Sequence, residues 1–229
     1  MQKKIPKLAK IFMVIGILLV SIWVVGRLTG ALQFYRIPTP ANEPTIKEGS
    51  QFFASSLVKP SRFDFICFKK TSVYTGKMET IVFRICGIGG DTVEIKNGDL
   101  YVNTVYADSN FRVQHYYRLA RVDLNKLPAD KIPLTELLMP VSSDSVLIPL
   151  ENKWAADNGF KEARHIMFDS SVEMTAAFSQ PWTVDNFGPV KVPANQFFVL
   201  GDNRHNAYDS RFWGFVSRDS IIAAVLWKH

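Results

Sequence analysis

The stretch Thr92-Val-Glu-Ile-Lys-Asn-Gly-Asp-Leu-Tyr-Val-Asn103 decides the class of fold. Apolar and polar residues alternate on both sides of Asn97-Gly98, a dipeptide that readily supplies the two positive φ angles of a type I′ hairpin turn. A two-residue turn here sets Val93 opposite Val102 and Ile95 opposite Leu100 on one face. We therefore predict an antiparallel hairpin with this apolar face buried.

Similar strand-like segments lie on both sides of this hairpin. They are rich in β-branched and aromatic residues, and they cover Phe65–Phe68, Thr80–Ile88, Phe197–Leu200 and Ile221–Trp227. Long helical periodicity is missing from this part of the chain. With 47% apolar residues in 229, the chain is long enough for a hydrophobic core. The prediction is a mostly β fold, an antiparallel sheet or barrel-like domain.

The middle of the chain loses this regularity. We interpret residues 105–180 as a variable, irregular, β-rich insertion between two halves of one β domain, 36–104 and 181–229. Pro128, Pro133 and Pro140 separate short segments, and one short helix is expected around Glu151–Arg164. We expect His115 and His165 to be ordinary surface or packing residues.

The N-terminal region predicts a membrane anchor. The predicted anchor, residues 11–35, begins with the uncharged and almost wholly apolar stretch Ile11–Val25. With Gly26 and Leu28–Tyr35 beyond Arg27 it is long enough to cross a bilayer of about 30 Å. The four lysines of the basic tail, residues 1–10, predict a cytoplasmic N-terminus and an extracytoplasmic main domain. A cleaved signal peptide has the same pattern, but Thr29-Gly30-Ala31 is a poor cleavage site, which favours a single-pass anchor in the cell (inner) membrane.

The distribution of charge excludes a nucleic-acid-binding protein. The net charge is +6, yet six of the 27 basic residues precede the first acidic residue, Glu43, which leaves 21 against 21 acidic residues. The basic excess therefore belongs to the membrane-proximal segment. Cys67 and Cys86 form no C-x-x-C motif, so we predict no metal and no cofactor. Two buried thiols are preferred over a disulfide, which the spacing leaves open.

The segment after the anchor, Arg36–Gly49, carries Pro38, Pro40 and Pro44. Each proline ring restricts its own φ and pushes the preceding residue toward extended geometry. We expect a rigid, extended, non-helical segment just outside the membrane, which would suit a site that handles peptides.

The chain resembles the type I signal peptidase (leader peptidase) family of membrane-anchored Ser-Lys proteases. Several motifs carry the resemblance: Asp185–Pro193, Phe198-Val-Leu-Gly-Asp-Asn-Arg204, Asp209-Ser-Arg-Phe-Trp-Gly-Phe-Val216, Arg62-x-Asp64 and Gly87-Ile-Gly-Gly-Asp-Thr-Val93. It covers everything except the insertion. It implies a mostly antiparallel β domain, signal-peptide substrates bound as an added strand, and shallow pockets for small side chains.

The resemblance also implies which residues are missing. Pro38–Thr45 stands in the frame of the family's Pro-Ser-x-Ser-Met-x-Pro-Thr, with Ala41 at the nucleophile. Phe83 stands where the family has its lysine base, and Ala207 replaces a serine that supports that lysine. Such a lysine works only when its surroundings lower its pKa. No intact catalytic residue is therefore predicted.

Period-2 alternation in Thr80–Ile88 directs Phe83 toward the site and Arg84 away from it. By the resemblance, we expect Arg84 to pair with Asp209 and Arg211 in a structural network. Residues lining a peptide-binding pocket would then be Ile37, Thr39, Ala41 and Phe83.

Three hypotheses follow from these residues. The leading one is a catalytically silent homologue that binds a signal peptide, another extended polypeptide or a partner protein at the membrane. The second is an active signal peptidase with an atypical nucleophile, Thr39, and His205 as its base. The third is a structural or assembly subunit for an active paralogue.

Overall fold

The computed structural model describes residues 6–72, 75–132 and 139–226. Four residues that contribute to the predictions from the sequence lie outside these ranges: Lys3, Lys4, Pro133 and Trp227. The strands are β1 Gln33–Arg36, β2 Gln51–Ser55, β3 Phe65–Thr71, β4 Met78–Ile88, β5 Thr92–Lys96, β6 Asp99–Val102, β7 Val105–Tyr106, β8 Gln114–Ala120, β9 Met139–Pro140, β10 Ser145–Glu151, β11 Phe187–Lys191, β12 Gln196–Leu200, β13 Val216–Ser217 and β14 Ile221–Val225. The α-helices are α1 Lys7–Leu28, α2 Asn152–Asp157, α3 Val172–Phe178 and α4 Ser210–Trp213.

Helix α1 is long and apolar enough to cross a membrane. Its 22 residues span about 33 Å, and none of its side chains is buried against the rest of the described chain. The helix ends at Leu28, before the predicted end of the anchor at residue 35. Gln33–Arg36 instead pairs with β2 as a strand, with Phe34 opposite Phe53. The anchor prediction is corrected there, because the backbone of these residues joins the sheet.

A seven-stranded sheet forms the main body, in the order β1-β2-β14-β3-β4-β12-β13. The long strand β4 pairs with β3 over Met78–Arg84, which lies opposite Phe65–Thr71. Strand β12 pairs only with Arg84–Ile88 of β4. The half of β4 before Arg84 therefore has one edge without a strand partner among the described residues.

The predicted hairpin is confirmed as β5 and β6. Val93 pairs with Val102 and Ile95 with Leu100, and all four side chains are buried. Asn97 and Gly98 have φ angles of 49° and 83°, as a type I′ turn requires. This hairpin belongs to a four-stranded sheet, β11-β5-β6-β7, so strands from residues 36–104 and 181–229 share both sheets.

The middle region contains a three-stranded sheet, β8-β10-β9, and two short helices, α2 and α3. The helix expected around Glu151–Arg164 is only Asn152–Asp157, followed by a separate 3₁₀ turn at Lys161–Ala163. Gly159 has a φ of 81°, which is incompatible with continued helix. A backbone bridge between Gln114 and Asn203 joins this region to the main body.

Both cysteines are buried free thiols, as preferred from the sequence. Cys67 pairs with Val82 across β3 and β4, and Val82 lies four residues before Cys86 on the same strand. Four residues of strand span roughly 13 Å, far beyond the Cα separation that a disulfide allows. Burial raises the pKa of each thiol to about 12, so neither is a reactive thiolate.

A buried ion pair holds the turn that follows β12. The Arg84 guanidinium donates from Nε to Asp202 Oδ1 at 2.8 Å and from Nη2 to Asp202 Oδ2 at 2.6 Å. Asp209 pairs with Arg211 instead, at 2.8 Å from Nε to Oδ1. The predicted Arg84 partner was therefore wrong. Arg84 lies opposite Leu200 in the β4–β12 register, which brings Asp202 rather than Asp209 within its reach.

We expect Asp202→Asn to lower the free energy of unfolding by about 3–5 kcal/mol, because it leaves the Arg84 charge buried without its carboxylate. Both side chains are at most 6% exposed, so water cannot compensate. Urea denaturation of the full chain in detergent measures the change.

Asp157→Asn is the matched control, since it removes the carboxylate of an exposed pair with Lys153 and should have no measurable effect. If both variants changed the free energy of unfolding by the same small amount, the Arg84–Asp202 pair would not have the dominant role in stability that we expect.

Candidate functional site

A cavity of about 590 Å³ lies beside the unpaired half of β4. Three pieces of chain form its walls: the segment after β1, the facing ends of β3 and β4, and the turn after β12 together with Trp213 of α4. Ile37, Thr39, Ala41, Phe83 and Ala207, which the sequence assigned to the site, all line it. The structure thus brings together positions that are up to 170 residues apart, from Ile37 to Ala207.

The segment that carries Ala41 is not fully extended, as had been predicted. Its backbone is extended at Thr39 and forms a 3₁₀ turn over Pro40–Asn42. Proline is tolerated in the first turn of a helix, because its missing N–H would have no partner there. The correction concerns this turn and the turns that follow it at residues 43–45 and 48–49. Ala41 lies within the 3₁₀ turn and lines the cavity.

Two asparagines hold this turn in place. Asn203 donates its backbone N–H to the Ala41 carbonyl and its side-chain Nδ2 to the Pro40 carbonyl, both at 3.1 Å. The buried Asn42 side chain donates from Nδ2 to the Val82 carbonyl of β4 at 2.8 Å. Neither asparagine was assigned a role from the sequence, although Asn203 lies within the Gly-Asp-Asn motif quoted for the resemblance.

Phe83 faces the cavity and Arg84 faces away, as the alternation predicted. Phe83 is 5% exposed and Ala207 is 7% exposed, and both belong to one apolar cluster against which Ala41 packs. Gly201 lies at their meeting point. A Cβ added to Gly201 would clash with the Ala207 methyl group and the Ala41 carbonyl, and would lie 3.2 Å from Phe83 Cε1. Only glycine fits between the three positions.

This cluster has no group that can attack a carbonyl or accept a proton. Alanine and phenylalanine side chains carry no heteroatom. Ala41, Phe83 and Ala207 therefore supply neither the nucleophile nor the base that amide hydrolysis by an activated hydroxyl requires. The hydroxyl of Thr39 is close by in sequence, but its side chain is exposed and makes no hydrogen bond within the described ranges.

His205 borders the cavity, but both nitrogens of its ring already have hydrogen-bond partners. Its Nδ1 accepts the backbone N–H of Tyr116 at 3.0 Å, so its proton must be on Nε2, which contacts both carboxylate oxygens of Asp185 at 2.9 Å. A histidine that accepts from a backbone amide on one nitrogen and donates to a carboxylate with the other has no lone pair left for Thr39. This geometry opposes the Thr39–His205 mechanism.

His115, Asp185 and His205 also form a cluster of potential metal ligands, with their ligand atoms within 4.8 Å of one another. A metal on His205 Nε2 would leave Nδ1, which faces the Tyr116 N–H, without the proton that a ligating histidine normally donates to its surroundings. His115 in turn contacts Asn152 Oδ1 at 2.8 Å and the Gly98 carbonyl at 3.1 Å. The hydrogen bonds therefore fit a metal-free cluster, which joins the middle region to the main body.

Ile37 contributes only its side chain to the cavity wall. Its N–H donates to the Ser50 carbonyl at 3.0 Å, and its own carbonyl accepts the Gly49 N–H at 2.8 Å. A peptide in the cavity could therefore not pair with the backbone of Ile37. Beside the cavity, the backbone edge of β4 before Arg84 has no strand partner among the described residues, although its Val82 carbonyl accepts from Asn42.

We expect stability to fall as the pH is lowered from 7.5 to 5.5. Burial lowers the pKa of both His115 and His205 in the folded state. An unfolded histidine has a pKa of about 6.5, so the unfolded chain binds more protons in this range and protonation favours unfolding. Asp185, whose pKa is also lowered, loses its contribution only below about pH 4.

Thermal or urea midpoints across this pH range measure the effect, with His115→Gln and His205→Gln as comparisons. Each substitution should flatten the pH dependence. A wild-type midpoint that does not change between pH 7.5 and 5.5 would contradict neutral buried histidines.

Comparison with known proteins places this chain in a family. The model of the family described as "Signal peptidase, peptidase S26" matches residues 7–228. Signal peptidase I of Aquifex aeolicus is 29% identical over 213 residues, which cover 82% of this chain and 72% of that protein. Signal peptidase I S of Bacillus subtilis is 30% identical over 172 residues, which cover 73% of this chain and 60% of the relative.

The probable signal peptidase I-2 of Synechocystis is 24% identical over 192 residues, 81% of this chain and 57% of the relative. The chain thus covers less than two thirds of the Synechocystis and Bacillus proteins. A crystal structure of a signal peptidase I from Enterococcus faecalis has 22% identity and a TM-score of 0.38, and covers 75% of this chain and 100% of that one. Since the family model spans nearly the whole sequence, this chain belongs to the signal peptidase family, peptidase S26.

Proposed function

We propose that this chain is a catalytically silent signal peptidase homologue that binds extended polypeptides, such as signal peptides, beside the membrane. One observation carries the proposal: the three positions that handle protons in the family hold Ala41, Phe83 and Ala207, and these side chains meet in one apolar cluster around Gly201. A serine protease that loses its nucleophile loses roughly a millionfold in kcat, and further losses in the same unit add little.

The open cavity favours peptide binding over a purely structural role. Phe83 packs against Ala41, yet a volume of about 590 Å³ remains beside them. The edge of β4 next to this volume offers backbone donors and acceptors for an added strand. A filled groove would instead have supported the structural or assembly subunit, and a partner protein could still enter the same groove through an extended segment.

The membrane topology in this proposal has α1 as a single-pass anchor in the cell membrane. The basic residues of the N-terminal tail support a cytoplasmic N-terminus, which would put the β domain and its cavity on the outer side. Signal peptides emerge on that side of the membrane, where the cavity would meet them.

An active enzyme with Thr39 as nucleophile is the second candidate, and an assay distinguishes the two. Purified full chain and an active signal peptidase I are incubated with the same precursor substrate. We expect cleavage by this chain to be at least about a millionfold slower, because Ala41 and Phe83 stand at the positions of the family's nucleophile and base. Turnover comparable to that of the active relative would contradict the proposal. If that turnover were lost in Thr39→Ala, Thr39 would be identified as the nucleophile.

The variant Ala41→Ser/Phe83→Lys/Ala207→Ser serves as a companion to this assay. It restores the family's three side chains on the same scaffold, and the single change Ala41→Ser is its matched control without a base. We expect a gain in cleavage from the triple variant alone, since a serine without a neighbouring base stays weakly nucleophilic.

Binding without cleavage is tested by photocrosslinking. A benzoylphenylalanine residue replaces exposed Thr39 in the cavity or, as a control, exposed Val122 in the middle region. A synthetic signal peptide should crosslink from position 39 and not from position 122. Equal labelling from both positions would show that the cavity does not bind peptide.

A further inference from the structure

Lys70 is a charged residue of the cavity wall and is not one of the three positions on which the proposed function rests. Lys70 lies near the end of β3, opposite Glu79 of β4, and on the same face as Phe68. Its ammonium group lies over the indole ring of Trp213, with Nζ 4.3 Å from the ring centroid. Phe68 packs against the same ring, at 6.0 Å between centroids. Trp213 therefore holds the lysine at the rim of the cavity.

The ammonium group of Lys70 has no hydrogen bond or ion pair within the part of the chain that the structure describes. Its cross-strand neighbour Glu79 accepts instead from Thr75 Oγ1 at 2.7 Å. The preceding lysine, Lys69, points to the other face and donates to Thr80 Oγ1 at 2.9 Å. A contact with a ring face leaves the N–H donors of Lys70 available to an anionic acceptor.

The surroundings of Lys70 favour such an acceptor. Partial burial lowers its pKa, so the charged form lacks the compensation that a carboxylate would supply. The residues lining the cavity carry two basic groups, Arg36 and Lys70, against one carboxylate, Glu79. Charge complementarity therefore points to a ligand that brings a negative charge to this end of the groove.

We propose that the groove selects extended peptides that carry a carboxylate, bound by Lys70, about four residues from the peptide residue that packs against Phe83. The spacing comes from β4, where Glu79, opposite Lys70, lies four residues before Phe83, or roughly 13 Å along the strand. A peptide aligned on the free edge of β4 would span this distance. The inference rests on the proposed peptide-binding function and adds to it a charge requirement.

Fluorescence anisotropy with the full chain in detergent tests this requirement. The probes are labelled peptides of about nine residues with a central alanine and carry Glu or Gln at the first or the last position, so that both directions of the peptide are covered. A further pair carries a free or an amidated C-terminus, which distinguishes a terminal carboxylate from a side chain. Lys70→Met removes the charge at similar length, and Lys69→Met is the matched control on the opposite face of the same strand.

At least one carboxylate probe should bind wild type about tenfold more tightly than its neutral counterpart, the ratio for a hydrogen bond between charged groups. This ratio should fall to about one in Lys70→Met, persist in Lys69→Met, and shrink at high salt. Equal affinity of charged and neutral probes for wild type, or a ratio that survives in Lys70→Met, overturns the charge requirement and leaves peptide binding intact. Absence of binding by every probe, including the neutral ones, overturns the peptide-binding function and the charge requirement with it.

Discussion

The buried contact between Arg84 and Asp202 is the interaction on which the site depends. Because side chains alternate along β4, the residue that follows Phe83 must point to the opposite face of the sheet, and there it holds Asp202 with two hydrogen bonds. Asp202 stands between Gly201 and Asn203. Gly201 forms the meeting point of the apolar cluster, and Asn203 holds the turn that carries Ala41. The Arg84–Asp202 ion pair on one face of the sheet thus helps to position Gly201 and the turn that carries Ala41, which lie at the cavity on the opposite face.

In the proposed function, this arrangement would allow a site to lose its catalytic groups and keep its shape. Burial raises the pKa of Asp202, and the contact with Arg84 acts in the opposite direction. Because both side chains are buried, removing either one would leave the other charge without compensation. Ala41, Phe83 and Ala207 face the cavity and do not take part in this pair. An apolar side chain at position 83 also avoids the desolvation that a buried lysine would suffer. The contacts that support the turn come from Asn42 and Asn203 and do not involve these three side chains.

The features that depend on local sequence could be predicted. The β5–β6 hairpin follows from alternation and from Asn97-Gly98, and the free thiols and the orientation of Phe83 follow from strand patterns. Features that depend on which strands pair with each other could not be predicted from the sequence. The partner of Arg84 is decided by the register of β4 with β12, and the end of the anchor by the pairing of Gln33–Arg36 with β2. The hydrogen bonds of the two His205 nitrogens could not be predicted either, because their partners, Tyr116 and Asp185, are distant in sequence.

The sequence by itself determined the fold class, the family motifs and the identity of the apolar residues Ala41 and Phe83, because each of these is a property of residue identity and local order. Only the tertiary structure decided that these positions and Ala207 meet around Gly201, that a cavity remains open beside them, and that Lys70 enters it over Trp213. These are distances between segments that are far apart in the chain. Strand register and packing set such distances, and residue identity alone does not.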